Sequence, residues 1–453
     1  MKIVIDGAGE VGSHLAKMLR EEANEVTVID SDAGRLSHLS AYADVETIEG
    51  APASIKTLRQ AGASKADLFI AVFPSADQEV NIVSALIAHQ LGAAKVIARI
   101  NDEDFLNAEN KLLFKEMGIE LMFYPEMIAA DEIVDSIRNN ATSETMGFAR
   151  GKLQVAVFKL DEESPLLDLK LEEFVGAMPA EDAAMFRVIA ISRNDSTIIP
   201  KFDTKFLFGD QVFTICKQEA LDTIIHHFGK RNISVEHVMI VGGGAIGSMV
   251  ARKLSSMIPD VKLIEKSKER CVELTEMLPE NILIVNGDGR NSDFLYEESI
   301  RDYDAFVALT GSDETNVLAC VVAKKFGVQR TIAEVENIEY LRLAEEMGVD
   351  TVINKKLITA SRIFKFTLSG KARFVKYMSG TSAEIIEYTV SPGSPITKGP
   401  LKSINFPKSA VIGGVIRGSE SFIAIGDTVI EAYDRVAIFA LPQNIKEIDK
   451  FFK

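Results

Sequence analysis

Apolar positions along this chain follow two spacings. Short apolar runs of strand length alternate with stretches in which apolar residues recur at helical spacing. Up to Phe123 the runs predict strands over Lys2–Asp6, Glu25–Asp30, Val45–Glu49, Leu68–Phe73, Val96–Ile100 and Glu120–Phe123. Between them, Gly12–Glu22 and Gln78–Leu91 carry amphipathic helical patterns. Strands apolar on both faces belong in a parallel sheet covered on both sides, and the strand–helix alternation predicts a doubly wound α/β sheet. Residues 152–228 read differently. There "KLQVAVFKL", "MFRVIAISR" and "DQVFTICK" alternate over short lengths, with turns at Ser164-Pro165 and Gly209-Asp210. They predict a small α+β domain.

The pattern then repeats. Gly7-Gly9-Gly12 recurs as Gly242-Gly244-Gly247, and Asp30, closing "EVTVID", recurs as Glu265, closing "VKLIE". "ADLFIAV" (Ala66–Val72) returns as "YDAFVAL" (Tyr303–Leu309), and "LGAAKVIARI" (Leu91–Ile100) as "FGVQRTIAEV" (Phe326–Val335). The order is kept and the offset is nearly constant, the signature of an internal duplication. Residues 372–453 repeat the small-domain pattern, with Ser394-Pro395 and Gly426-Asp427 at its turns. The expected fold is therefore α/β: two Rossmann-like doubly wound parallel-sheet domains, each followed by a small α+β domain. The boundaries fall at 1–140, 141–230, 231–368 and 369–453. Helices over Glu126–Asn140 and Lys356–Leu368 join the parts. Each carries an apolar stripe, such as Ile133, Val134 and Ile137 in the first, which fits either a dimer and hinge element or an ordinary packing helix.

Each glycine triplet follows a strand, opens a helix, and has an acid at the end of the next strand. In that setting Gly7 and Gly242 allow the tight turn. Gly9 and Gly244 let the backbone approach a pyrophosphate, and Gly12 and Gly247 pack the helix on the sheet. The helix N-terminus then offers N–H groups and positive dipole to a phosphate. Asp30 and Glu265 stand where a carboxylate accepts both hydroxyls of an adenosine ribose, which favours NAD(H) over its 2′-phosphorylated form. Adenosine, ribose and phosphates are common to NAD, ATP and ADP, so the motifs leave all three open. In "NGDGR" (Asn286–Arg290), Asp288 is placed to take an adenine amino group, while Gly287 and Gly289 keep the loop close. The first half has "EGAPA" there, with Gly50 and no aspartate. Arg99 pairs either with phosphates or with a structural acid, and its counterpart is Glu334. The two pockets are expected to be unequal.

A formal net charge of −16 over 453 residues argues against nucleic acid and against general adhesion to an anionic membrane surface. Three scattered cysteines, Cys216, Cys271 and Cys320, imply neither a disulfide framework nor a zinc site. No metal-binding cluster is read. No signal peptide or apolar stretch of spanning length is seen, so a cytosolic protein is expected. None of the six histidines has a catalytic partner pattern, and the small domains are too small for ordinary catalytic domains. Nucleotide sensing without chemistry is the favoured reading. An NAD-dependent oxidoreductase and a soluble nucleotide sensor for another partner are the alternatives.

Through "GAGEVGSHLAKMLREEANEVTVIDSD", "GASKADLFIAV", "VIARI", "VGGGAIGSMVARKL", "VNGDGRN" and "ALTGSDETNVLACVVAKKFG", the chain resembles the TrkA family along its whole length. This family, also called the regulator of potassium conductance or KTN family, comprises peripheral, cytosolic nucleotide-binding subunits of Trk potassium uptake systems. The resemblance implies a homo-oligomeric ring, a tetramer, under an integral membrane potassium-translocating subunit of the TrkH or TrkG kind. NAD(H), ATP or ADP would change the ring's shape. It places ligand contacts at Gly7, Gly9, Glu10, Val11, Asp30, Asp32 and Arg99, and at Gly244, Ala245, Ile246, Glu265, Lys266, Gly287 and Asp288. One departure is "AVFPSADQEVN" (Ala71–Asn81), two residues longer than the second half's "ALTGSDETN" and carrying Pro74 beside the expected ligand.

Overall fold

The computed structural model describes the whole chain except residues 22–23, 74–77, 149–150, 195, 365–371, 378–382, 442–443 and 453. Four sheets form, in the alternation that the hydrophobic pattern predicts. The first holds β1 (Lys2–Asp6), β2 (Glu25–Asp30), β3 (Glu46–Glu49), β4 (Leu68–Ala71), β5 (Val96–Arg99) and β6 (Leu121–Phe123), in the order β3-β2-β1-β4-β5-β6. All its pairs are parallel. The strands are apolar on both faces because helices cover both. β4 stops at Ala71, two residues short of the expected end. Val72 and Phe73 leave the sheet to cross over the glycine turn, where a Cβ on Gly7 would lie 2.5 Å from Phe73 Cα.

The second sheet is antiparallel: β7 (Glu144–Phe148), β8 (Leu153–Lys159), β9 (Phe186–Arg193), β10 (Ser196–Ile198) and β11 (Gln211–Lys217), ordered β10-β9-β11-β8-β7. The third repeats the first: β12 (His237–Val241), β13 (Asp260–Glu265), β14 (Ile282–Asn286), β15 (Ala305–Ala308), β16 (Arg330–Glu334) and β17 (Thr351–Ile353), ordered β14-β13-β12-β15-β16-β17. The fourth holds β18 (Ala372–Tyr377), β19 (Glu384–Thr389), β20 (Ala410–Arg417), β21 (Glu420–Ile423) and β22 (Arg435–Ala440), ordered β18-β19-β22-β20-β21. The switch of strand order between the first and fourth strands of each parallel sheet opens the crevice where ligands sit in doubly wound folds. The two antiparallel sheets share one core, in which Val155, Ile189, Phe213 and Ile215 meet Ile385, Val411, Ile416 and Phe439. Among the described residues no helix is long and apolar enough to cross a membrane.

Two compact units result. One is Met1–Ala129 with Lys355–Thr367, and the other is Ala130–Asn354 with Leu368–Lys453. These units do not follow contiguous boundaries at the joining helices. Within the first unit, helix Lys355–Phe364 packs on helix Glu10–Glu21, and Lys356 Nζ reaches Glu10 Oε2 at 3.0 Å. Within the second, Ser136 of helix Pro125–Arg138 accepts from Arg330 of β16 at 2.9 Å, and Asp131 pairs with Lys253 at 2.9 Å. The apolar stripe Ile133, Val134 and Ile137 is buried. The helix Lys355–Phe364 thus lies with the first half, and the Ala130–Arg138 part of the other joining helix with the second. Helical periodicity specifies that a stripe must be covered, but not by which sheet.

Candidate functional site

The glycine turns have the same construction in both halves. Gly7 and Gly242 take φ of +120° and +106°, a region costly for any residue with a Cβ. On Gly242 a Cβ would lie 2.4 Å from Leu309 O. At Gly12 and Gly247 it would lie 1.8 and 1.9 Å from the carbonyl oxygens of Gly7 and Gly242, so these two let each helix rest against its turn. Gly244 is different. Nothing lies within 4 Å of its Cβ position, and it caps helix Ala245–Leu254 at the mouth of a cleft.

That cleft, about 400 Å³, brings together Gly242, Gly244, Glu265, Lys266, Gly287 and Asp288, six of the positions singled out from sequence. Arg290, Thr310, Ser312 and Thr315 also line it. Ala245 opens the helix, and Ile246 and Gly247 are buried behind the turn. Glu265 Oε2 accepts the Gly243 N–H at 2.7 Å and Oε1 that of Ser267 at 2.8 Å. The carboxylate therefore braces the turn as well as facing the cleft. Asp288 is clamped by Arg290, with Nη2 at 2.6 Å, and Lys266 Nζ stands 3.4 Å away. The Arg290 hydrogen bonds hold the Asp288 carboxyl well below the usual carboxylate range. A diphosphate fits this architecture: a wall of glycines, an open helix N-terminus, and a carboxylate at the next strand end.

In the first half the same brace is present, with other neighbours. Asp30 Oδ2 accepts the Ala8 N–H at 2.7 Å and Oδ1 the Asp32 N–H at 2.9 Å, and the side chain is fully buried. Asp32 caps helix Ala33–Tyr42 by accepting from Gly34 and Arg35. Gly9 O accepts the Ser13 N–H at 2.8 Å, Glu10 pairs with Lys356, and Val11 is buried. Arg99 is paired with Glu126 at 3.0 Å, the structural option, and Lys355 joins the same carboxylate at 3.6 Å. The Pro74 loop lies outside the described residues.

Two features were not found from sequence. Asn81 braces the chain after β4: Phe73 N–H donates to its Oδ1 at 2.8 Å, and its Nδ2 donates back to Phe73 O. Asn316 does the same for Thr310, at 2.8 and 3.0 Å. The signal was available, since an asparagine closes both "AVFPSADQEVN" and "ALTGSDETN". The other is Asp6, which ends β1 where Val241 ends β12. It is fully buried, accepts the Ser84 hydroxyl, and leaves Oδ1 without a hydrogen bond among the described residues. Burial pushes its carboxyl up to about 6, against the pull of Ser84 and with the help of the Asp30 charge. A terminal aspartate on an apolar strand reads as a solvated end, and nothing in the sequence signalled otherwise.

Comparison with known proteins gives concordant matches. The TrkA-N domain model matches residues 3–125 and 238–355, and the TrkA-C domain model matches 155–229 and 385–453. A Trk system potassium uptake protein TrkA homolog of Archaeoglobus fulgidus is 35% identical over 460 residues, covering 100% of both chains. Another from Methanosarcina mazei is 34% identical over 464 residues, again covering 100% of both. The Trk system potassium uptake protein TrkA of Haemophilus influenzae is 31% identical, covering 100% of this chain and 99% of its own. Among solved structures, the GsuK RCK domain superposes with a TM-score of 0.61 at 15% identity, covering 100% of this chain and 94% of that one. The GsuK channel bound to NAD gives 0.61 at 16%, covering 100% and 78%.

Proposed function

The chain belongs to the TrkA family, and from that premise we propose that it is the peripheral regulatory subunit of a potassium uptake system. In this reading it binds NAD(H), ATP or ADP at its glycine turns and gates an integral membrane potassium-translocating subunit of the TrkH or TrkG kind. It acts as a homo-oligomeric ring, a tetramer, on the cytoplasmic face of the membrane, and it performs no catalysis on its ligand. The single observation that carries the reading is the second cleft, where Gly244, Glu265, Gly287 and Asp288 converge around open space. The curated relatives' names supply the potassium uptake context, and the similarly folded GsuK channel binds NAD.

Gating requires that a ligand prefer one ring shape over another, because equal affinity for both shapes shifts nothing. The proposed contacts are Gly7, Gly9, Glu10, Val11, Gly12, Asp30, Asp32 and Arg99 in the first half. In the second they are Gly242, Gly244, Ala245, Ile246, Gly247, Glu265, Lys266, Gly287 and Asp288. For Asp30 and Arg99 contact requires release from their present partners. The test uses ligand-stripped protein reconstituted with the membrane protein that co-purifies with it. Gly9→Asp and Gly244→Asp are introduced separately, and calorimetry with NADH and ADP is compared with potassium flux into vesicles. Loss of binding with unchanged flux removes the gating proposal.

A further inference from the structure

At the end of the first strand the two halves differ in one buried group. Val241 lines the second cleft and packs under Gly289, whose Cβ would lie 2.2 Å from Val241 Cγ1. The same seat in the first half holds Asp6, directly before Gly7 of the phosphate turn. On the helix behind it, Ser84 donates its hydroxyl to Asp6 Oδ2. Oδ1 is buried and makes no hydrogen bond among the described residues. From the loop after β3, the Ala53 backbone exerts a weaker pull. From β2 comes the Asp30 charge, itself faced by Arg35 of helix Ala33–Tyr42 at 3.8 Å.

Two acids so placed do not share their burden equally. Asp30 has the N–H groups of Ala8 and Asp32 on its two oxygens. Asp6 has the Ser84 hydroxyl, the weaker pull of the Ala53 backbone and an acidic neighbour, and no cation among the described residues acts on it. Asp6, buried and with Oδ1 unpaired among the described residues, is therefore the group built to hold a proton. A nucleotide diphosphate laid on the Gly7–Gly12 turn brings further negative charge above it, which strengthens the preference for the protonated form.

We propose that the first site binds its nucleotide diphosphate together with a proton held on Asp6, so that this half, and not the second, responds to pH as well as to nucleotide. The inference rests on the reading that the first glycine turn holds a nucleotide. Asp6 does not transfer its proton to the ligand. It sets how tightly the site accepts an anion.

The full chain carrying Gly244→Asp isolates the first site, since the Gly244 Cβ position is open and the new side chain enters the cleft. NAD⁺ is the probe, because its doubly esterified diphosphate loses no proton in the range used. Calorimetry between about pH 5.5 and about pH 8, in buffers of different ionisation enthalpy, should show Kd weakening by about tenfold, with net proton uptake on binding. In Asp6→Asn, which can still accept from Ser84, and in Asp6→Val, which copies the second half, Kd should be flat at the wild type's acidic value. The chain carrying Gly9→Asp, which isolates the second site, should also be flat. A flat wild-type first site, or an unchanged slope in Asp6→Asn, overturns the inference and leaves the nucleotide reading standing. Failure of NAD⁺ to bind the first half in any variant at any pH overturns both.

Discussion

Gly242 and Gly244 stand two residues apart in one turn and should fail in opposite ways when given a methyl group. At Gly242, φ is +106° and the new Cβ would meet Leu309 O at 2.4 Å, Leu309 C at 2.7 Å and Thr310 N at 3.0 Å. All three are backbone atoms in the segment leaving β15, so none can swing aside. The unfavourable φ costs about 1–2 kcal/mol and the overlap about 1–3 kcal/mol. Together they should lower the melting temperature of the ligand-free protein by roughly 5–15 °C. Gly244→Ala meets nothing within 4 Å, and its φ of −68° suits any residue. Alanine caps a helix less well than glycine, so ligand-free melting should fall by no more than about 3 °C. The same methyl, however, fills the space a diphosphate needs, and nucleotide affinity at this site should drop at least about tenfold. Scanning fluorimetry without ligand, paired with calorimetry using NADH, separates the two cases. Equal destabilisation by both changes, or full affinity in Gly244→Ala, would refute the assignment of Gly242 to the fold and Gly244 to the ligand.

Three further outcomes follow from the geometry. Asp6 is raised from 3.8 to about 6 in the folded protein, so both states hold its proton in strong acid and its burial then costs nothing extra. As pH climbs from 3.8 through about 6 that advantage is lost, and above it the wild type should trail Asp6→Asn by on the order of 3 kcal/mol, read from urea midpoints. Arg330 is buried and its Nη2 donates to Ser136 Oγ at 2.9 Å, Thr142 O at 3.2 Å and Thr351 Oγ1 at 2.8 Å. Arg330→Met should cost about 2–4 kcal/mol and speed proteolysis near residues 139–143, which a time course of limited digestion would follow. Arg193–Asp210 and Arg417–Asp434 are the same clamp in the two small domains, a partly exposed arginine on a buried aspartate, each with Nη2–Oδ2 at 2.7 Å. Asp210→Asn and Asp434→Asn should each cost about 2 kcal/mol by chemical denaturation, and a neutral result in either would show that clamp to be dispensable.

Much of this architecture was legible because its determinants are local. A glycine forced by a positive φ and a strand covered on both faces leave marks in a few consecutive residues, and the duplication prints each mark twice. The crevice inherited that legibility: Gly242 and Glu265 were found from the glycine–acid spacing, Gly287 and Asp288 from the "NGDGR" stretch, and all four line one cleft. What stayed hidden depends on partners distant in sequence. Asp30 was read as a sugar-facing acid, yet its oxygens are engaged by Ala8 and Asp32 and it has no exposed surface. Arg99 had two readings, and its pairing with Glu126 depends on a residue far along the chain that neither reading named. Asp6 looked like an unremarkable strand end because Ser84, far along the chain, sits opposite it. Where each joining helix docks could not be read, because periodicity carries no address.

That docking has a consequence for how the molecule can be divided. The helix Lys355–Phe364 belongs to the Met1–Ala129 unit although Ala130–Asn354, which holds the first antiparallel sheet and the second parallel sheet, separates the two in the chain. A fragment ending near residue 230 would leave the face of helix Glu10–Glu21 uncovered, and one beginning there would lack Ala130–Arg138. Neither piece would keep all the contacts its unit makes in the whole chain. Mixed together, they have reason to find one another by trading arms, and the peptide link between them keeps that trade inside a single molecule.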